Sequence, residues 1–271
     1  MGCTLPMHIF LSRNPHTHER DLMDMFKTVA VILAAGQGKR MQSDLPKVLH
    51  PVAGRPMVIY SIEAAMAATG EKPVLVVGHK AECVRKEVGE IVHYVLQEKQ
   101  LGTGHAVQQT ESLLKNQCDF LLVISADMPL LMSETLRNLV EIQQTHSGPL
   151  TILTAISDNP RGFGRVIRNG DHQVQAIVEE AVASPEQLAV RELNAGLYCF
   201  SAEWLWESLK KIQVSPKGEY YLTDLVEIAV NSGLSVRAVT VDDPEEILGV
   251  NTQEHLAEAE LLMNKHMFQF H

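Results

Sequence analysis

Cysteine is scarce in this sequence. Cys3, Cys83, Cys118 and Cys199 lie far apart and form no C-x-x-C pair. That spacing excludes a paired-cysteine zinc site and a dense disulfide framework, and it suits reduced thiols in a cytoplasmic protein. Basic residues are also short: 23 Lys and Arg face 33 Asp and Glu, a formal charge of −10, which excludes a general nucleic-acid surface. No apolar run approaches the roughly 20 residues that cross a bilayer, so no membrane partner is expected. The 12 histidines show no metal-ligand spacing. The first 22 residues lack a positive segment followed by a sustained apolar core, so no signal peptide is expected, and Pro6 stands where a myristoylation signal has Ser or Thr. Internal repeats and low-complexity tracts are missing too.

What is there is alternation. Residues 1–27 have no periodicity and read as a mobile extension or a mis-assigned start. Strand-like runs then appear at 28–33, 73–78, 92–97 and 119–127, separated by helical spacing at 56–68, 81–89, 102–114 and 133–145. Such an order predicts parallel β-α-β units in a three-layer α/β sheet, with ligands bound beyond the carboxyl ends of the strands. From about 150 to 200 shorter β-like segments predict a β-rich insertion covering the nucleotide half. Helices at 202–211 and 221–231, a strand at 234–241 and a C-terminal helix with Asn251 in a capping position complete the chain.

The first strand ends in Ala34-Ala35-Gly36 and runs into a loop carrying Gly38, Lys39, Arg40 and Lys47. In a chain of negative net charge, cations gathered after a strand point to an anionic ligand. The loop is neither a Walker motif, which needs G-x-x-x-x-G-K-[ST], nor a Rossmann fingerprint, whose third glycine is here Met41. Glycines still let backbone N–H groups approach a phosphate, and Arg40 and Lys47 can neutralise its oxygens.

The stretch "LAAGQGKRMQSDLPKVLHPVAGRPM" resembles the signature of sugar-nucleotide pyrophosphorylases. It is most similar to the uridylyltransferase half of the bacterial bifunctional N-acetylglucosamine-1-phosphate uridylyltransferase / glucosamine-1-phosphate acetyltransferases. Further matches follow in family order, among them "VLQEKQLGTGHAVQQ" (95–109), "DMPLL" (127–131), "GFGRVIR" (162–168), "ELNAGLY" (192–198) and "LGVNT" (248–252). The resemblance implies a Rossmann-like three-layer nucleotidyltransferase fold of the nucleotide-diphospho-sugar transferase type. It would have a mixed, mostly parallel sheet and a β-rich sugar-binding lobe, within a domain spanning 28–254 and followed by a C-terminal helix over 255–271. It further implies transfer of UMP from UTP to a sugar 1-phosphate with Mg²⁺ as cofactor. By position, Arg40 and Lys47 would act on the phosphates, and Leu33, Ala34, Ala35, Gly36, Gln97, Gly102 and Thr103 would hold the nucleotide. Asp127 and Asn251 would bind the metal, while Gly164, Glu179, Asn194, Tyr221 and Thr223 would meet the sugar.

The chain departs from that family pattern near the sugar. Ser125-Ala126 replaces Tyr-Gly before the metal aspartate, Ala181-Val182 replaces Lys-Asp, and Ala195 stands where Thr is usual. The hexapeptide β-helix of the bifunctional enzymes has no counterpart, so acetyl transfer is not expected of this sequence. Two alternatives stay open: a pyrophosphorylase for another sugar 1-phosphate or nucleotide, and a non-catalytic nucleotide-sugar binder. A homo-oligomer is left open as well.

Overall fold

The structure, a computed structural model, describes residues 26–269. The readings made on the first 22 residues, and nearly all of the expected extension, lie outside the described residues. Its last two positions are already tied to the fold: the Phe26 ring meets Phe120 edge-on at 5.6 Å, and the Lys27 N–H donates to Asp119 Oδ2 at 2.8 Å. No helix among the described residues is long and apolar enough to cross a membrane.

The chain begins with β1 (Thr28–Ala34), the short hairpin β2 (Pro51–Val52) and β3 (Arg55–Pro56), and α1 (Met57–Thr69). Then come β4 (Val74–Val77), α2 (Ala81–Val88), β5 (His93–Leu96), α3 (Thr103–Gln108), α4 (Glu111–Leu114), β6 (Phe120–Ser125) and α5 (Ser133–Thr145). The second half holds β7 (Leu150–Ile156), β8 (Arg165–Arg168), β9 (Val174–Val178), α6 (Pro185–Leu188) and β10 (Glu192–Ser201). It closes with α7 (Ala202–Leu209), α8 (Asp224–Asn231), β11 (Val236–Thr240) and α9 (Gln253–Gln269).

The main sheet runs β11-β7-β10-β6-β1-β4-β5, with β8 and β9 off that path. Pairs β6/β1, β1/β4, β4/β5 and β11/β7 are parallel, and β10 is antiparallel to both of its neighbours. The mixed, mostly parallel sheet is therefore present. The β-rich stretch 150–200 divides: β7 and β10 are members of the main sheet, and only β8 and β9 project from it.

Strand period 2 builds the layers. Ala30, Ile32, Leu75, Val77, Leu122 and Ile124 point to a core shared with α1 and α5, while Val29, Val31, Val74, Val76, Leu121 and Val123 point to one shared with α3, α7 and α8. Strands buried on both faces read as continuous apolar runs, which is why "VLVV" and "FLLVIS" stand out in the sequence.

Two local expectations fail for identifiable reasons. The helix expected over 102–114 breaks at Gln109-Thr110, because the buried Thr110 turns back on Val107 O with both its N–H (2.9 Å) and its hydroxyl (2.7 Å). Asn251 does not cap α9. Thr252 Oγ1 accepts the His255 N–H at 3.3 Å instead, which leaves the Asn251 side chain for other partners.

Candidate active site

Strands β1, β4, β5 and β6 are mutually parallel, so their carboxyl ends share one edge, and β1 is the point where the chain's path along the sheet reverses. A cavity of about 740 Å³ opens there. Leu33, Ala34, Ala35, Gly36, Arg40, Lys47, Gln97, Gly102, Thr103, Asp127, Tyr221 and Asn251 all line it.

Gly38 shapes the loop beside the cavity. Its φ is +62°, and a Cβ there would lie 2.6 Å from Lys47 Cβ, so only glycine lets the loop fold over that lysine. Pro46 then opens a short 3-10 turn, Lys47–Leu49, whose Val48 and Leu49 are buried and fix the stem of Lys47. Asp127 comes from the end of β6, where the Ala126 N–H donates to Leu33 O at 3.1 Å. Asn251 is brought beside it by the Val250 N–H, which donates to Asp127 O at 2.8 Å. Gln253 Nε2 donates to Met41 O at 2.9 Å, so the start of α9 also braces the glycine loop.

These elements converge three side chains. Lys47 Nζ donates to Asp127 Oδ2 at 2.5 Å and to Asn251 Oδ1 at 3.1 Å, and Ser125 Oγ donates to Asp127 Oδ1 at 2.6 Å. Burial by itself raises the Asp127 pKa, but the charge and hydrogen bond of Lys47, with the Ser125 hydroxyl, outweigh it and hold the carboxyl below its ordinary value. The carboxylate is thus ionised at neutral pH. Its oxygen and the amide oxygen of Asn251 bear on one cationic point, a donor set of hard oxygens. Among the described residues no cluster of three or more His, Cys, Asp or Glu could hold a metal. Arg40 and Lys39 line the mouth, exposed, and among the described residues no carboxylate pairs with either.

A second wall is sewn from two distant segments. Gly102, at φ +99°, sits where a Cβ would be 2.6 Å from Tyr220 O. The Tyr220 N–H donates to Leu101 O and the Gly104 N–H to Tyr220 O, both at 2.8 Å, and Thr103 Oγ1 accepts the Leu222 N–H at 3.0 Å. Gln97 is buried on this wall. Its Nε2 donates to Gly102 O at 3.1 Å and meets His105 Nδ1 at 3.0 Å.

Gly164, Glu179, Asn194 and Thr223 do not line the cavity. Asn194 is buried in β10, its Nδ2 donating to Tyr198 Oη at 2.8 Å and its Oδ1 accepting the Gly196 N–H at 3.2 Å. The Thr223 hydroxyl donates to Glu179 Oε1 at 3.1 Å. Gly164 O accepts the Asn194 N–H at 2.9 Å, and a Cβ on Gly164 would press on Ile177 at 3.0 Å.

The cavity has lining that the sequence reading did not single out: Gln37, Gln100, Met128, Phe163, Gly196, Glu219 and Gly249. Gln37, Gln100, Met128, Phe163, Gly196 and Gly249 lie inside the quoted motifs and were within reach. Phe163 arrives with a loop clamped by the two hydrogen bonds of Arg161 to Glu258 on α9, at 2.8 and 2.6 Å.

Comparison with known proteins adds three findings. The family model described as nucleotidyl transferase matches residues 29–257. The bifunctional protein GlmU of Acetivibrio thermocellus is 43% identical over 244 residues, which is 90% of this chain and 53% of that protein. GlmU of Pelotomaculum thermopropionicum is 46% identical over 241 residues, 89% of this chain and 53% of that one. The chain thus spans about half the length of the curated relatives it matches. Among solved structures, a putative glucose-1-phosphate thymidylyltransferase from Bacillus anthracis, in complex with a sucrose, superposes with a TM-score of 0.71 at 22% identity. It covers 87% of this chain and 94% of its own, and at that identity it speaks for the fold alone.

Proposed function

This chain belongs to the nucleotidyl transferase family, and on that footing we propose that it transfers UMP from UTP to a sugar 1-phosphate. N-acetylglucosamine 1-phosphate is the expected acceptor, with UDP-N-acetylglucosamine and pyrophosphate as products. One observation carries the reading: Lys47 Nζ, Asp127 Oδ2 and Asn251 Oδ1 converge within 3.1 Å in the same cavity that holds the glycine loop and Gln97.

The acceptor phosphate is already an anion, so no side chain has to remove a proton from it. The work of the protein is positioning and charge neutralisation around the α-phosphorus. Arg40 and Lys47 are the cations that meet phosphate oxygens. Asp127 and Asn251 would hold Mg²⁺, since one carboxylate and one amide oxygen, with phosphates and waters, make a set that this ion accepts. When bound, it supplies Lewis-acid neutralisation of phosphate charge. Ala34, Ala35 and Gly36 leave room for a nucleotide against the backbone, and Gly36 has nothing within 4 Å of where a Cβ would stand. The sugar is assigned to the Tyr221 side, with Glu179, Asn194, Thr223 and Gly164 behind it. The free thiols of Cys83, Cys118 and Cys199 suit a reducing, cytoplasmic setting.

The test is pyrophosphate release across a panel of nucleoside triphosphates and sugar 1-phosphates. The expected result is activity with UTP and N-acetylglucosamine 1-phosphate. Because Ala195 and Ser125 line the cavity where the family carries larger polar groups, competition with glucose 1-phosphate should show only modest discrimination. Equal use of ATP or GTP, or exclusive use of glucose 1-phosphate, would overturn the assignment.

A further inference from the structure

We propose that His105 is a positioning residue that fixes the direction of the Gln97 amide and so sets a preference for uracil over cytosine. The inference rests on the reading of Gln97 as the side chain that meets the base.

Gly102 O can only accept a hydrogen bond, so the nitrogen end of the Gln97 amide must face it, as it does at 3.1 Å. The second amide hydrogen goes to His105 Nδ1 at 3.0 Å. Both donors of Gln97 are then spent inside the protein. Among the described residues no group donates to Gln97 Oε1, and Gln97 lines the cavity. The side chain therefore offers a ligand an acceptor only. Uracil presents a donor, N3–H, to such an oxygen. Cytosine presents an unprotonated N3, and two acceptors would face each other.

His105 completes this arrangement only in one tautomer. Nδ1 must be bare and Nε2 must carry the hydrogen. A neutral imidazole has one N–H, so Gln97 and Gln109, whose Nε2 lies 3.2 Å from His105 Nε2, cannot both donate to the ring. Gln97 keeps the donor role because it is buried and pinned to Gly102 O. Gln109 is half-buried, and its nitrogen bonds only His105 O, which already accepts the Gln109 backbone N–H. A flip of its amide, which gives up only that shared bond, sets its oxygen against Nε2–H. Burial lowers the His105 pKa, which keeps the ring neutral.

Two near-isosteric substitutions separate this role from mere packing. An asparagine amide oxygen reaches the place of Nδ1, and a glutamine amide oxygen the place of Nε2. His105→Asn should keep the parental ratio of UTP to CTP affinity, measured by calorimetric titration and as KM. His105→Gln should lower that ratio by roughly tenfold, through weaker UTP binding and KM rather than through kcat. Thermal melts of both proteins report folding. If the two variants behave alike, whether both keep the ratio or both lose it, the inference fails while the reading of Gln97 stands. If the parent itself does not prefer UTP to CTP, both fall together.

Discussion

The residues assigned to the phosphates and those assigned to the sugar stand differently to the cavity. At the phosphate end, Lys47, Asp127 and Asn251 come from three distant segments and point at one spot, with Arg40 and Lys39 exposed beside them. On the sugar side, Asn194 is consumed by Tyr198 and Gly196, and Thr223 by Glu179, within a wall behind the cavity. Both networks close within the protein, but the first lines the cavity with two exposed cations beside it, and the second lies behind the cavity wall. Substitutions at the phosphate end should accordingly cost chemistry, and substitutions in the wall should first cost stability.

The largest expected effect is at Asp127. Asp127→Ala should lower kcat about a thousandfold or more, as expected when a charge-neutralising group is lost from a phosphoryl-transfer site. The melting temperature should move little by comparison. Pyrophosphate release at saturating Mg²⁺ beside a thermal melt checks it, and near-parental turnover would erase the contrast between the regions.

Asn194→Ala should do the reverse. It leaves the buried Tyr198 hydroxyl without its amide donor, so urea denaturation should show a loss of about 1–3 kcal/mol. KM for UTP should hold. A large rise in KM for the sugar phosphate at unchanged stability would move Asn194 out of the wall and into the binding surface.

The smallest effect sharpens the comparison by pH. Asp224, at the start of α8, has its pKa pushed up from 3.8 to about 6 by burial, then by the nearby charges of Glu227 and Glu179. The folded state therefore holds this proton more tightly than the unfolded chain. Stability is lost as pH rises from about 4 through about 6, the opposite sign to a paired carboxylate such as Asp127. Asp224→Asn should be neutral at pH 4 and stabilising at pH 7, by about 1 kcal/mol once solvent screening of this half-buried group is allowed for. Denaturant melts at the two pH values measure it, and equal effects at both would break the assignment of the shift to ionisation.

Legibility in the sequence follows the range of the interactions. The glycine loop and Asp127 were readable because each follows a strand whose apolar run announces itself, and Lys47 because it shares the quoted motif with that loop. Asn251 was readable locally as a cap and, through the resemblance, as a metal ligand beside Asp127, but nothing local says that Lys47, 204 residues away, would be its partner. Helix α5 makes the same point. Its start is satisfied by Glu246, which accepts from the Met132 N–H at 3.2 Å and the Thr135 hydroxyl at 2.6 Å across more than a hundred residues. The break at Thr110 was missed because a buried threonine folding onto its own backbone looks, in a string of letters, like any helical position.

The sequence by itself determined the alternation of strands and helices, the two-faced burial of the central strands and the place of the glycine loop. These depend on period, on glycine and on charge within a few residues. Only the tertiary structure decided that β7 and β10 join the main sheet, that Asn251 faces Lys47 instead of capping α9, and that the Gln97 amide nitrogen meets Gly102 O and His105. Each of those depends on which buried donor finds which acceptor. A buried polar group left unpaired costs more than any local preference can return, and its partner is chosen only when distant segments meet.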